Sequence, residues 1–182
     1  MLGYLENVAL LWYNLSIDLP CDNMSTADNQ QERLRIGWIV GFTDGEGCFA
    51  VSVIKNNTTR SGYQVFPEFV ITQGEKSRES LEMIKKFFRC GKIFINKRYD
   101  NHREHLYRYC VRSIRDLQEI IIPFFSRYRL RTSKRNDFRL FAQAVELMMK
   151  KQHLTGKGFR KILRIKSRSN RKILRDYTSD SD

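Results

Sequence analysis

Asp44 and Glu46 stand two residues apart in the segment Ile39-Val-Gly-Phe-Thr-Asp-Gly-Glu-Gly47, among Gly41, Gly45 and Gly47. Hard divalent cations take carboxylate and carbonyl oxygens, and glycines let backbone carbonyls come close. A cation held there activates water and stabilises the oxygens of a phosphodiester displacement. The plainer alternative is a short acidic turn that only ends a helix. Spacing alone leaves both open.

The elements that must position this segment follow from periodicity. A helix is expected over about Gln31 to Asp44, ending at Gly45-Glu-Gly47. Gly37, Val40, Gly41 and Asp44 share one of its faces. A glycine inside a helix costs roughly 1 kcal/mol, so two on one face ask for a reason, and close approach of another backbone is one. Phe49 to Asn56 and Gly62 to Gln73 read as strands joined by a polar turn. In the second, Val65, Pro67, Phe69 and Ile71 point one way, and Gln64, Phe66, Glu68 and Val70 the other. Ser77 can cap a helix carrying Leu81, Ile84 and Phe88. The pattern then repeats with strands over Lys92 to Tyr99 and His105 to Arg112. In the first of these, Ile93 and Ile95 fall on one side and Asn96 and Arg98 on the other; in the second, Tyr107, Tyr109 and Val111 point inward, and Arg108, Cys110 and Arg112 outward. Ser113 can cap a helix with Ile114, Leu117, Ile121 and Phe124. A last helix from about Ser133 carries the stripe Phe138, Phe141, Ala142, Val145, Met148 and Met149. The order α-ββ-α-ββ-α-α suggests an α+β fold, with one four-stranded sheet, helices on one face and a polar, basic face on the other.

The charge is uneven. Residues 1–30 carry −4, residues 31–149 carry +9, residues 150–175 carry +11 and the last seven −3. A basic body with a more basic end fits a polyanion, most simply nucleic acid. Domain limits are expected at an extension over 1–30, a core domain over 31–150 and a basic tail over 151–182. The tail is expected either to form a helix against phosphates or to order on binding. No stretch is apolar and long enough to span a membrane. Cys21, Cys48, Cys90 and Cys110 form no CxxC pair, which argues against zinc and fits a reducing, intracellular compartment. The N-terminal residues have the charge pattern of neither a secretory signal nor a transit peptide.

Residues 39–47 resemble the LAGLIDADG motif of homing endonucleases. Gly41, Asp44 and Gly47 match outright, and Glu46 stands where an aspartate is usual. Phe69-Val-Ile-Thr-Gln73 is similar to the family's second strand, and Tyr128-Arg-Leu-Arg-Thr-Ser-Lys134 with Asn136-Asp-Phe138 to its basic segment before the last core helix. The resemblance covers about residues 31–150. It implies an αββαββα fold with a saddle-shaped antiparallel sheet, and site-specific double-strand cleavage at a long pseudo-palindromic target in intron homing. It implies Mg2+, with Mn2+ or Ca2+ able to occupy the same place. Glu46 and the Gly47 carbonyl are the implied metal ligands. Gln73 is implied to hold the water network, and Lys134 the cation near the scissile phosphate, with Arg131 or Arg135 as alternatives. Asp44 is expected to brace the helix junction rather than bind metal. A single motif implies a homodimer joined through Gly37, Val40, Gly41 and Asp44. Strand parity then turns Ser52, Ile54, Asn56, Gln64, Glu68, Asn96, Arg98, Arg108 and Arg112 toward double-stranded DNA, with Lys55, Arg60 and Lys97 against phosphates.

Some members of this family act as intron RNA maturases or as DNA-binding proteins without cleavage, so the chain's own intron RNA is an alternative partner. A bacterial cytoplasm and an organelle (chloroplast or mitochondrion) both fit. A histidine-based nuclease site at Asn101-His-Arg-Glu-His105 is disfavoured, because it falls in an expected hairpin turn with no helix following.

Overall fold

Two hairpins make the frame. In the computed structural model, β1 (Gly47–Lys55) pairs antiparallel with β2 (Tyr63–Gly74), and β3 (Lys92–Asn96) with β4 (Leu106–Val111). β2 also pairs with β4, giving the order β1-β2-β4-β3. The structure describes residues 26–59, 62–97 and 105–169. The chain divides into two compact units, Met1–Gly37 and Trp38–Asp182. Of the first, the described residues are helical, and the helix α1 (Thr26–Glu46) begins there and ends in the second. The sheet and all other described elements lie in the second unit. They include α2 (Arg78–Phe88) and α3, which runs over residues 114–127. They also include α4 (Lys134–Met149) and α5 (Gly156–Ser169).

The sheet buries one face. Phe49, Val51, Val53, Val65, Phe69, Ile71, Tyr107, Tyr109 and Val111 belong to one core cluster with Leu81, Ile84 and Phe88 of α2. Phenylalanines fill its centre. The Phe49 and Phe69 rings stack at 5.0 Å, and Phe125 of α3 meets both edge-on. Edge-to-face pairs of this kind add to the area they bury. The expected parity of β1, β2 and β4 therefore holds, and the α+β architecture with it.

Several expectations need correction. α1 starts at Thr26, five residues before Gln31, and runs through Gly45 to Glu46. The described end of the stretch expected as an N-terminal extension is helical, because polarity distinguishes exposure and not conformation. Ser77 precedes α2 but its side chain makes no capping bond, whereas Ser113 accepts from the Asp116 amide. Within α3, residues Leu117–Ile121 form a π turn, and Pro123 follows. Proline lacks the N–H that the carbonyl one turn back would receive, and the wider turn advances the register. Phe125, not Phe124, is thereby the fully buried ring. Arg98, Tyr99 and Arg60 lie outside the described residues.

The largest difference is at the C-terminal side. α4 buries Leu140 and Ala144 as well as Phe138, Phe141 and Val145, while Met149 is exposed. Two-sided burial needs a second partner, and α5 provides it. α5 packs on α4 and β1, with Ile162 and Ile165 in the core cluster. The Phe159 ring stacks on Tyr63 at 5.4 Å. Residues 156–169, expected as part of a tail, are thus a structural helix, and a boundary at 150 cuts through the core. Ile162 is fully buried. Ile162→Ala is expected to lower unfolding free energy by about 2–5 kcal/mol, measured by urea denaturation. Stability unchanged by that substitution would show that α5 does not dock on the core.

Candidate nuclease centre and nucleic-acid interface

The acidic segment sits where α1 runs into β1. Glu46 is the last residue of α1, and Gly47 the first of β1, paired with Ile71. A Cβ on Gly47 would lie 2.7 Å from the Thr43 carbonyl and 2.6 Å from its methyl group. No side chain fits, so glycine is what lets the strand leave the helix this tightly. Glu46 is exposed, and among the described residues it has no hydrogen-bond or ion-pair partner. Gln73 lies near the end of β2, two residues beyond Ile71, half-buried. The strand pairing thus brings its end beside the α1–β1 junction.

Asp44 and Lys134 lock that junction from both sides. The Asp44 carboxylate accepts from the Arg131 amide at 2.6 Å, from the Thr132 amide at 3.2 Å and from the Thr132 hydroxyl at 2.6 Å. Asp44 therefore serves the amides that lead into α4, where a negative charge is favoured. Lys134 does the converse. Its Nζ donates to the Thr43 carbonyl at 3.2 Å and to the Gly45 carbonyl at 3.0 Å. A lysine in the first turn of α4 opposes that helix's own dipole, yet here it satisfies the orphan carbonyls at the end of α1. Burial raises the Asp137 carboxyl one turn along, and the Lys134 charge pulls it back. Arg131 and Arg135 are exposed, and among the described residues their side chains make no bond to the acidic segment, so Lys134 is the cation that reaches it.

The bracing of Asp44 has a pH signature. Partial burial raises its carboxyl, but the Thr132 hydroxyl, the Arg131 and Thr132 amides and the Lys134 charge outweigh it, leaving the carboxyl below its ordinary value of 3.8. A depressed folded pKa contributes stability that is present above the unfolded value and is lost as pH falls through the folded one. Acid below about pH 4 is therefore expected to loosen the junction. In Asp44→Asn the stability deficit should be largest at neutral pH and shrink in acid, read as melting temperature against pH.

The other face of the sheet is the broad surface. Ser52, Ile54, Gln64, Glu68, Asn96, Arg108 and Arg112 all lie on it, as parity required. Asn96 and Ser52 are exposed. Asn56 lies in the turn after β1, where its amide donates to Gln64 at 2.7 Å and its oxygen holds the Thr58 amide at 3.0 Å. Three large apolar groups also stand exposed there, Ile54, Phe66 and Phe94. Parity gave the direction of Phe66, but its residue type gave no reason to count it as a contact, and Phe94 was not singled out. Val70 and Cys110 face the same way yet are buried. They are cross-strand partners, with Glu68, Arg108 and Arg112 around them. Lys55 and Lys97 are exposed near hairpin ends.

The α1 residues expected at an interface divide. Gly37 and Gly41 are exposed, and a Cβ on either meets nothing within 4 Å among the described residues, as is also true of Gly45. Val40 is partly buried against the chain's own core, and Asp44 is engaged with Arg131 and Thr132. No helix among the described residues is long and apolar enough to cross a membrane.

Comparison with known proteins agrees with this geometry. "Probable intron-encoded endonuclease 2" of Neurospora crassa is 36% identical over 130 residues, 71% of this chain and 26% of that protein. The "Uncharacterized 50.9 kDa protein in ND4 intron 1" of Podospora anserina is 40% identical over 120 residues, 65% of this chain and 25% of its own length. The chain thus spans about a quarter of these relatives. The crystal structure of the homing endonuclease I-TnaI matches with a TM-score of 0.66 at 38% identity, over 74% of this chain and 87% of that one. The meganuclease I-SmaMI, solved bound to uncleaveable DNA, matches with a TM-score of 0.69 at 30% identity, over 74% of this chain and 44% of that one. The family model described as LAGLIDADG endonuclease matches residues 39–145, from the motif through β1–β4 to α4, and this chain belongs to that family.

Proposed function

We propose that this chain is one half of a site-specific DNA endonuclease that hydrolyses phosphodiester bonds in both strands of a long pseudo-palindromic duplex site, in intron homing. The observation that carries this reading is the state of Glu46. Its carboxylate is exposed and has no partner among the described residues, at the C-terminal end of a helix, where the backbone already presents negative charge. A carboxylate there costs about 0.3–1 kcal/mol relative to a cation. Such local penalties collect at functional sites.

Oxygen donors of this kind suit a hard divalent cation such as Mg2+. The Glu46 carboxylate and the Gly47 carbonyl would hold it. The described residues gather no cluster of three acidic, histidine or cysteine side chains, so one copy supplies only part of a coordination shell. A second copy's carboxylate and phosphate oxygens would complete it. When bound, the ion supplies an activated water and charge stabilisation at the phosphate. Gln73, at the strand end beside the junction, orders water. Lys134 has three ammonium donors. Two are held by carbonyls, which fixes its position and leaves the third for a phosphate oxygen.

The exposed glycines of α1 support pairing with a second copy. Nothing among the described residues uses their missing side chains, whereas a neighbouring helix backbone would. That this chain matches 44% of I-SmaMI fits the same view of one copy as a half. The duplex lies on the open sheet face, with the exposed α5 cations Lys157, Arg160, Lys161, Arg164 and Arg168 adding sequence-independent attraction for phosphate. Because α5 is part of the core, its charge is tested by substitution to Gln and not by deletion.

Cleavage of a randomised duplex library with Mg2+ tests the reading. Recovery of one long pseudo-palindromic site, cut in both strands, supports it. Binding of duplex or structured RNA without any cleavage would replace it with a binding or maturase role.

A further inference from the structure

At the centre of the open sheet face, one carboxylate holds two arginines. Glu68 of β2 accepts from Arg108 Nη2 through one oxygen at 3.1 Å, and from Arg112 Nε through the other. Arg108 lies in β4 and Arg112 directly follows its last residue, four positions on, and their side chains converge on Glu68. The Arg112 guanidinium also lies over the Phe94 ring of β3, its carbon 5.4 Å from the ring centre. A carboxylate on one side and an aromatic face on the other hold the guanidinium plane, as ion pairing and cation–π attraction both favour.

We infer that Arg112 reads a guanine in the target, and that Glu68 is the residue that positions it rather than a base contact in its own right. The inference rests on the duplex-binding reading above. Exposure separates the roles. The Glu68 side chain is 17% exposed, whereas Arg108 is 37% and Arg112 56% exposed. A partner approaching this face meets the guanidiniums first. The nitrogen used also matters. Arg112 spends its Nε on Glu68, which leaves both terminal nitrogens pointing away as the fork that fits guanine O6 and N7. Arg108 instead commits one N–H of a terminal nitrogen to Glu68 and is the less exposed of the two arginines. Its charge offsets Glu68, so the cluster of one acid and two bases stays cationic beside phosphates. A flexible arginine loses side-chain entropy when it docks, and one held beforehand loses less.

Selection from a randomised duplex with the full-length chain and Ca2+ tests this, comparing wild type with Arg112→Gln, Glu68→Gln and Glu68→Asp. Wild type is expected to prefer guanine at a position where Arg112→Gln weakens the preference about tenfold and leaves other positions unchanged. Glu68→Gln should weaken that same position. It should also bind an unrelated duplex more tightly at low salt, because it removes a negative charge from the face. Glu68→Asp keeps the charge but falls one methylene short, so it should relax the position without the gain in unspecific binding. A merely structural role for Glu68 would lower binding to every sequence alike and would overturn the assignment. So would a cytosine preference lost in Glu68→Gln at a position that Arg112→Gln leaves intact. A wild-type chain that selects no sequence would overturn the duplex reading itself, and this inference with it.

Discussion

Glu46→Gln is expected to abolish double-strand cleavage while leaving duplex binding nearly unchanged. The substitution keeps the side chain's length and polarity but removes the charge. It disturbs no hydrogen bond, because Glu46 has no partner among the described residues. Losing an outer-shell partner of a metal typically costs 10–100-fold in affinity or activity, and loss of a direct carboxylate ligand should exceed about a hundredfold on that scale. Exposed substitutions away from special features are worth about 0.5 kcal/mol or less, so affinity for the site should stay within roughly a factor of two. Single-turnover cleavage and gel-shift titration on the selected duplex read the two effects separately. Equal losses in cleavage and binding would mean that Glu46 serves DNA contact or folding and not metal binding.

The second large effect concerns assembly, and its two parts carry opposite signs. Gly41 is exposed, and a Cβ there meets nothing within 4 Å among the described residues. Gly41→Ala should therefore stabilise the isolated chain by about 0.5–1 kcal/mol, because alanine restricts the unfolded state and suits a helix. Gly41→Leu should also leave the isolated fold intact. Both should weaken pairing of two copies, Leu far more than Ala, because side chains would hold the backbones of two α1 helices apart. Sedimentation velocity reports the pairing, thermal unfolding at low concentration the stability, and plasmid linearisation the function. Loss of pairing and of linearisation with a raised melting temperature would show that the glycines face a second chain. Unaltered pairing in Gly41→Leu would place the contact elsewhere.

Local sequence determined the period-two faces of β1, β2 and β4, because a strand's side chains alternate whatever the strand pairs with. It also determined the helical stripe of α2, and it marked residues 39–47 as a candidate, because they concentrate carboxylates and glycines within nine positions. Direction was legible for Glu68, Arg108 and Arg112, but not their convergence. That needs β2 beside β4, a pairing between residues 40 and 44 apart in the chain. Lys134 was legible as an oddity, a cation in a helix's first turn. Only the fold shows that the carbonyls it satisfies belong to another helix, 89 and 91 residues away. The second buried face of α4 and the docking of α5 were hidden for a related reason. A run of lysines and arginines dominates residues 150–175, and the two isoleucines that anchor it count for little until α4 and β1 offer them a surface. Periodicity records which way a side chain points, and tertiary structure decides what it meets.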